Sequence, residues 1–137
     1  MTYRRNLLPK QALKRLKDNP QALFVDVRSE VEYKFVGYPR NSTLIPWMNE
    51  PDWEPSPEKF SEAVRNKLEG CEDIYETEII LICRSGYRSN DALKCLESEG
   101  FKHVSHVASG FEGDLDEENQ RGNLNGWRHD GMPWSQS

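Results

Sequence analysis

The sequence predicts an α/β domain with a mainly parallel central sheet and helices on both faces. Two runs, Ala22–Val27 and Glu78–Cys83, are apolar almost without a break, as strands covered on both faces are. Segments of helical periodicity stand between the strand runs rather than after them, which is the order of crossover connections. The length of 137 residues suits one domain, 1–137, able to bury a core without metal or disulfides.

Each element has its own signal. Leu8, Ala12, Leu13 and Leu16 form one stripe on a helix over Leu7–Asp18, with Pro9 suited to its first turn and Asn19-Pro20 ending it. The strand Ala22–Val27 follows. Glu30–Phe35 forms a short helix closed by Gly37 and Pro39, and Leu44–Trp47 is a brief second strand. Pro51, Pro55 and Pro57 mark a loop, and Pro57 opens a helix to Leu68 that carries Phe60, Ala63 and Val64. Glu78–Cys83 is the strongest strand. A helix over Asn90–Glu99 bears Ala92, Leu93 and Leu96, and His103–Val107 is the last strand. Beyond Ser109 the composition changes: 114–125 is polar enough to be a solvated excursion, followed by a terminus anchored on Trp127 and Trp134.

Composition removes several classes of function. Hydrophobic residues make up 36% and charged residues 30%, but four Trp, five Tyr and five Phe supply the anchors that disordered chains lack. A net charge of -5 is the wrong field for nucleic acid or an anionic membrane surface. No apolar run approaches the roughly 18 residues of a membrane span. The N-terminal stretch has no sustained apolar segment and no small-residue cleavage site, so no secretory leader is expected. Cys71, Cys83 and Cys95 are an odd set without close pairs, which points to reduced thiols in the cytoplasm rather than disulfides or zinc.

Chemistry concentrates in Cys83-Arg84-Ser85-Gly86-Tyr87-Arg88-Ser89. A buried strand ends at the cysteine, a short loop follows, and a helix begins directly after. Such a loop lies at the carboxyl end of the sheet, where open α/β folds bind ligands. Its amides and the helix N-terminus would form an anion nest with Cys83 at the floor. Arg84, Arg88 and the helix dipole favour the thiolate, Gly86 permits a tight turn, and Ser85 and Ser89 offer hydroxyls. Two arginines beside a merely structural cysteine would serve no packing purpose. The segment therefore has the form of a nucleophile that also binds an anion.

This loop resembles the active-site loop of single-domain rhodaneses, the thiosulfate sulfurtransferases. Val25-Asp26-Val27-Arg28 with Glu32-Tyr33 is similar to the family's DVR…EY motif. Ser109–Gly113, Gly126-Trp127 and Gly131–Trp134 are similar to its C-terminal signature. Together these span about 20–134. Two departures stand out: Gly37–Thr43 lacks the His and second Gly of the family's usual turn, and 114–125 interrupts the C-terminal signature as an insertion.

The resemblance implies a sulfur relay that needs no metal or organic cofactor. Cys83 takes the outer sulfur of a small anionic donor such as thiosulfate, becomes a persulfide, and yields that sulfur to cyanide, a thiol or a protein acceptor. Two alternatives keep the fold: a persulfide carrier within a trafficking route, and a non-catalytic interaction module, although such modules often lack the cysteine. A cysteine phosphatase or arsenate reductase fits less well, because phosphatases use a loop one residue longer and position 89 is serine. The sequence is silent on oligomeric state.

Asp26 and Arg28, two apart at a strand end, are expected to form an ion pair that fixes the turn, with Glu32 joining it. Cys95 and Cys71 are expected to be bystanders. His103 and His106 face opposite sides of their strand and so share no metal, and the acidic residues of 114–118 lack the spacing of a calcium loop.

Overall fold

The computed structural model describes residues 5–49 and 51–137. In chain order the elements are β1 (Asn6–Leu7), α1 (Pro9–Asp18), β2 (Leu23–Asp26), a π-helical turn (Glu32–Val36), β3 (Tyr38–Pro39), β4 (Thr43–Leu44), α2 (Pro57–Lys67), a 3-10 turn (Ile74–Glu76), β5 (Glu78–Ile82), α3 (Tyr87–Ser98), β6 (His103–Val107) and β7 (Trp134–Ser135). Five strands form one sheet in the order β1-β6-β5-β2-β4, and β3 and β7 form a small second sheet. Every neighbouring pair in the main sheet is parallel, while β3 and β7 run antiparallel.

β2 and β5 take the centre because both of their faces are apolar. One face, with Val25, Ile79 and Leu81, packs with Val64 of α2 and Leu93 and Leu96 of α3. The other, with Phe24, Ile80 and Ile82, packs with Ala12 of α1 and with Phe111 and Trp127 of the C-terminal segment. Helices thus cover both faces, as the sequence predicts.

The differences from expectation are local. α3 begins at Tyr87 rather than Asn90, so the helix starts inside the cysteine loop. The expected helix at Glu30–Phe35 is a π-helical turn at Glu32–Val36, and Leu7 belongs to β1 rather than to the first helix. Trp127 is fully buried against Phe24, ring centroids 5.2 Å apart, and its indole N–H donates to the Pro133 carbonyl at 2.8 Å. The excursion at 114–125 is closed at its neck by Asp114 and Asn125, each bonded to the other, and its turns are held by Asp116.

The strand order places the site. From β2 the chain moves outward to β4, then returns through α2 to β5 on the opposite side of β2, and continues outward to β6. The winding reverses between β2 and β5. A crevice opens outside the carboxyl ends of strands at such a reversal. Val27 and Arg28 leave β2 there, and Cys83 leaves β5.

Candidate active site

Cys83 follows the last residue of β5 and is 1% exposed. Its sulfur accepts the backbone N–H of Gly86 at 3.0 Å and that of Ser89 at 3.3 Å. Ser89 stands in the first turn of α3, whose amides have no partner within the helix. The sulfur therefore serves as the acceptor at this helix start, where the dipole favours negative charge. Gly86 makes that possible: its φ of +106° turns the chain into the helix, and a Cβ there would strike the carbonyl oxygen of Ala108. The loop is fastened from behind by Phe111 N–H to the Cys83 carbonyl at 2.7 Å and Glu112 N–H to the Arg84 carbonyl at 3.0 Å. Gly110 lies so close to the Arg84 main chain that a side chain there would collide with it.

The two loop arginines part company. Arg84 and Tyr87 are exposed on the loop, while Ser85 is half-buried. Arg88 instead turns to Glu32 of the π-helical turn in a two-pronged ion pair with contacts of 2.6 and 2.9 Å. Its charge is thus answered inside the protein by a carboxylate. Burial pushes Glu32 up, but the bonds from Arg88 and Ser29 outweigh it and hold the carboxyl below its ordinary value.

Asp26 and Arg28 form a second, fully buried pair, with the closest contact at 2.7 Å. Arg28 also donates to the Gly37 carbonyl at 2.6 Å and lies over the Phe111 ring, 4.4 Å from its centroid. Burial pushes the Asp26 carboxyl up against the pull of Arg28. Glu32 does not join this pair, contrary to expectation; Arg88 takes it. Arg28, being enclosed, offers nothing to a dissolved donor.

One group near the sulfur was not singled out from the sequence as part of a site. His106 of β6 is buried, and its Nδ1 lies 2.7 Å from Ser89 Oγ, which is 3.3 Å from the Cys83 sulfur. The available signal was a polar residue on the inward face of a strand, where a buried polar group needs a partner. Cys71 is exposed and Cys95 half-buried, and both are free. Among the described residues no cluster of His, Cys, Asp and Glu is arranged to hold a metal, and no helix is long and apolar enough to cross a membrane.

A parallel α/β sheet that sets a thiol at a helix N-terminus, at the reversal of strand order, defines the class of this protein. The chain belongs to the rhodanese-like domain family, whose model matches residues 8–117. The crystal structure of Rv0390 from M. tuberculosis is similar with a TM-score of 0.83 and 35% sequence identity, covering 99% of this chain and 100% of that one. An uncharacterized protein of Rickettsia conorii is 29% identical over 134 residues, covering 94% of this chain and 95% of its own length. The solution structure of the polysulfide-sulfur transferase homodimer from Wolinella succinogenes has a TM-score of 0.63 at 24% identity, covering 98% and 80% of the two chains, and shows the shared fold. The family match ends inside the excursion at 114–125 and leaves out Gly126-Trp127 and Gly131–Trp134.

Proposed function

We propose that this protein is a sulfurtransferase that carries sulfane sulfur on Cys83, from an anionic donor such as thiosulfate to a thiophilic acceptor. The observation that carries this reading is the sulfur of Cys83 receiving two backbone amides at the N-terminus of α3. Amides aimed at sulfur stabilise the negative charge that a thiolate nucleophile and a persulfide both bear. In the first half-reaction the Cys83 sulfur bonds to the outer sulfur of thiosulfate, and sulfite leaves with the electron pair of the broken S–S bond. In the second, the acceptor bonds to that outer sulfur and the Cys83 thiolate departs. Exposed Arg84 and the helix N-terminus attract the donor, and Ser85, Gly86, Tyr87 and Ser89 shape its mouth. Arg88 acts through the Glu32 pair, holding the first turn of α3 in place. That pairing also disfavours phosphoryl transfer, because the loop arginine is engaged with a carboxylate rather than free to clasp a phosphate. The reading places the protein among reduced thiols in the cytoplasm.

The test is sulfur transfer from thiosulfate to cyanide, with intact mass measured after thiosulfate alone. One added sulfur is expected in the wild type and in Cys71→Ser, and none in Cys83→Ser. Turnover that persists in Cys83→Ser would sink the mechanism. A wild type that takes sulfur from no donor would favour the interaction module.

A further inference from the structure

His106 reaches the nucleophile through one hydroxyl. Its Nε2 lies 2.9 Å from Oδ1 of Asn6, its register partner across the β1–β6 ladder. An amide oxygen only accepts, so Nε2 carries the ring proton and Nδ1 is an acceptor. Ser89 has two acceptors in reach of its one hydrogen, Nδ1 at 2.7 Å and the Gly86 carbonyl at 3.2 Å; the shorter contact takes it, and a lone pair turns toward the Cys83 thiol at 3.3 Å. This polarity suits S–H. It does not suit a thiolate or persulfide, which needs a donor in the same place. Protonation of Nδ1 reverses the chain: the imidazolium donates to Ser89 Oγ, and an anionic sulfur, as the charged acceptor, draws the released hydroxyl hydrogen in preference to the Gly86 carbonyl 3.2 Å away.

We propose that His106 is a positioning residue of the sulfur site, which through the single hydrogen of Ser89 presents an acceptor to the thiol when neutral and a donor to anionic sulfur when protonated. Charge on Cys83 and a proton on His106 then favour each other. In the internal transfer the S–H bond breaks as Ser89 Oγ takes the proton, and Ser89 passes its own hydrogen to Nδ1. No electrons change hands. The persulfide half of this proposal rests on the sulfurtransferase reading; the thiolate half does not.

The surroundings fit a group that stays neutral until the sulfur is charged. Burial, then the charge of Arg5, lowers the His106 pKa to about 4. Arg5 is paired with Glu97 at 3.0 Å, and with Asn6, Asn90 and Lys94 it lines a shallow pocket on this side. Toward β5 the register partner is Leu81, which carries no charge. Arg28 and Arg88 are each answered by a carboxylate. An anionic sulfur roughly 6 Å from the ring, at an effective dielectric of about 20, raises the protonation midpoint by about two pH units, to about 6.

The test needs no sulfur donor. Alkylation of Cys83 by iodoacetamide, read by mass at its own peptide, should slow in the wild type as acid is added down to about pH 6. It should then level off to about pH 4, because the thiolate–imidazolium pair holds as many protons as the neutral pair. In His106→Gln, which can accept the Ser89 hydrogen but not a proton, the rate should keep falling, to about 100-fold below wild type at about pH 4. A wild-type rate without the plateau overturns the proposal. The imidazole nitrogen resonances of His106 give a second measurement that needs no His106 variant. Their midpoint should rise by roughly one to two pH units in protein shown by mass to carry added sulfur, and not in thiosulfate-treated Cys83→Ser. An unmoved midpoint in the sulfur-loaded protein also overturns it. A chain that takes up no sulfur yet shows the plateau loses the sulfurtransferase reading and keeps this one.

Discussion

Gly86 and Cys83 divide the work of the loop between them. The glycine supplies a backbone turn that L side chains resist, and the cysteine supplies the acceptor that the turn exposes to two amides. Replacing Gly86 by Ala should cost about 1–2 kcal/mol from its positive φ alone, and more from the contact with Ala108. Urea unfolding should show that loss, and mass after thiosulfate should show less sulfur on Cys83 because the amide of residue 86 is drawn away from it. Both residues were legible because their chemistry lies within seven consecutive positions. The partner of Arg88 was not, since Glu32 lies 56 residues earlier and nothing in local spacing links them. His106 shows a third case. Alternation along a strand tells which face a side chain takes, but not which hydroxyl waits there.

The π-helical turn at Glu32–Val36 matters through the bridge it makes from the end of β2 to the start of α3. Arg88→Ala would leave Glu32 partly buried without its guanidinium, at a cost of about 1–3 kcal/mol. Arg88→Lys should recover little, because an ammonium does not reproduce the two-pronged contact. Glu32 has its pKa lowered on folding, so its contribution is present above the ordinary carboxylate range and is lost as pH falls through the lowered value. His106 adds a second acid-labile component at higher pH. Unfolded, it gains a proton below about 6.5, whereas folded it gains one only near 4. Stability should therefore drop by about 3 kcal/mol between those limits as acid is added. His106→Gln should flatten that part of the thermal-unfolding profile. The long apolar strands and the three helices were legible from periodicity. β1, β3 and β7 were not, because two-residue strands carry no period and exist only where a partner meets them.

The β-strand order, with its reversal between β2 and β5, brings both ion pairs and the thiol to one end of the sheet. The net charge of -5 then says little about the site, whose frame is two carboxylates and two guanidinium groups in mutual balance. The polar excursion stands apart from that frame. Its ends meet at Asp114 and Asn125, so joining them directly by a short turn in place of 115–124 should leave the unfolding free energy within about 1 kcal/mol. Sulfur uptake from thiosulfate should also survive the excision. A collapse of cooperative unfolding would instead assign the segment a part in the fold. Its polarity was plain in the sequence, but its internal closure was not, because that depends on Asp116 gathering the amides of Glu118 and Gln120.

The sulfur that accepts the first-turn amides of α3 is also a clasp, and a clasp can be felt from the far side of the molecule. Any reagent that occupies it also loosens the helix it closes. Thermal unfolding should thus report the state of the thiol with no enzymology: alkylated Cys83 should melt earlier than the free protein. Cys83→Ser, which keeps an acceptor in place, should lie within about 1 kcal/mol of wild type, while Cys83→Ala should lose about that much or more. A melting curve indifferent to all three would mean that the helix holds its own end. Otherwise this small domain registers the contents of its own site in its heat resistance.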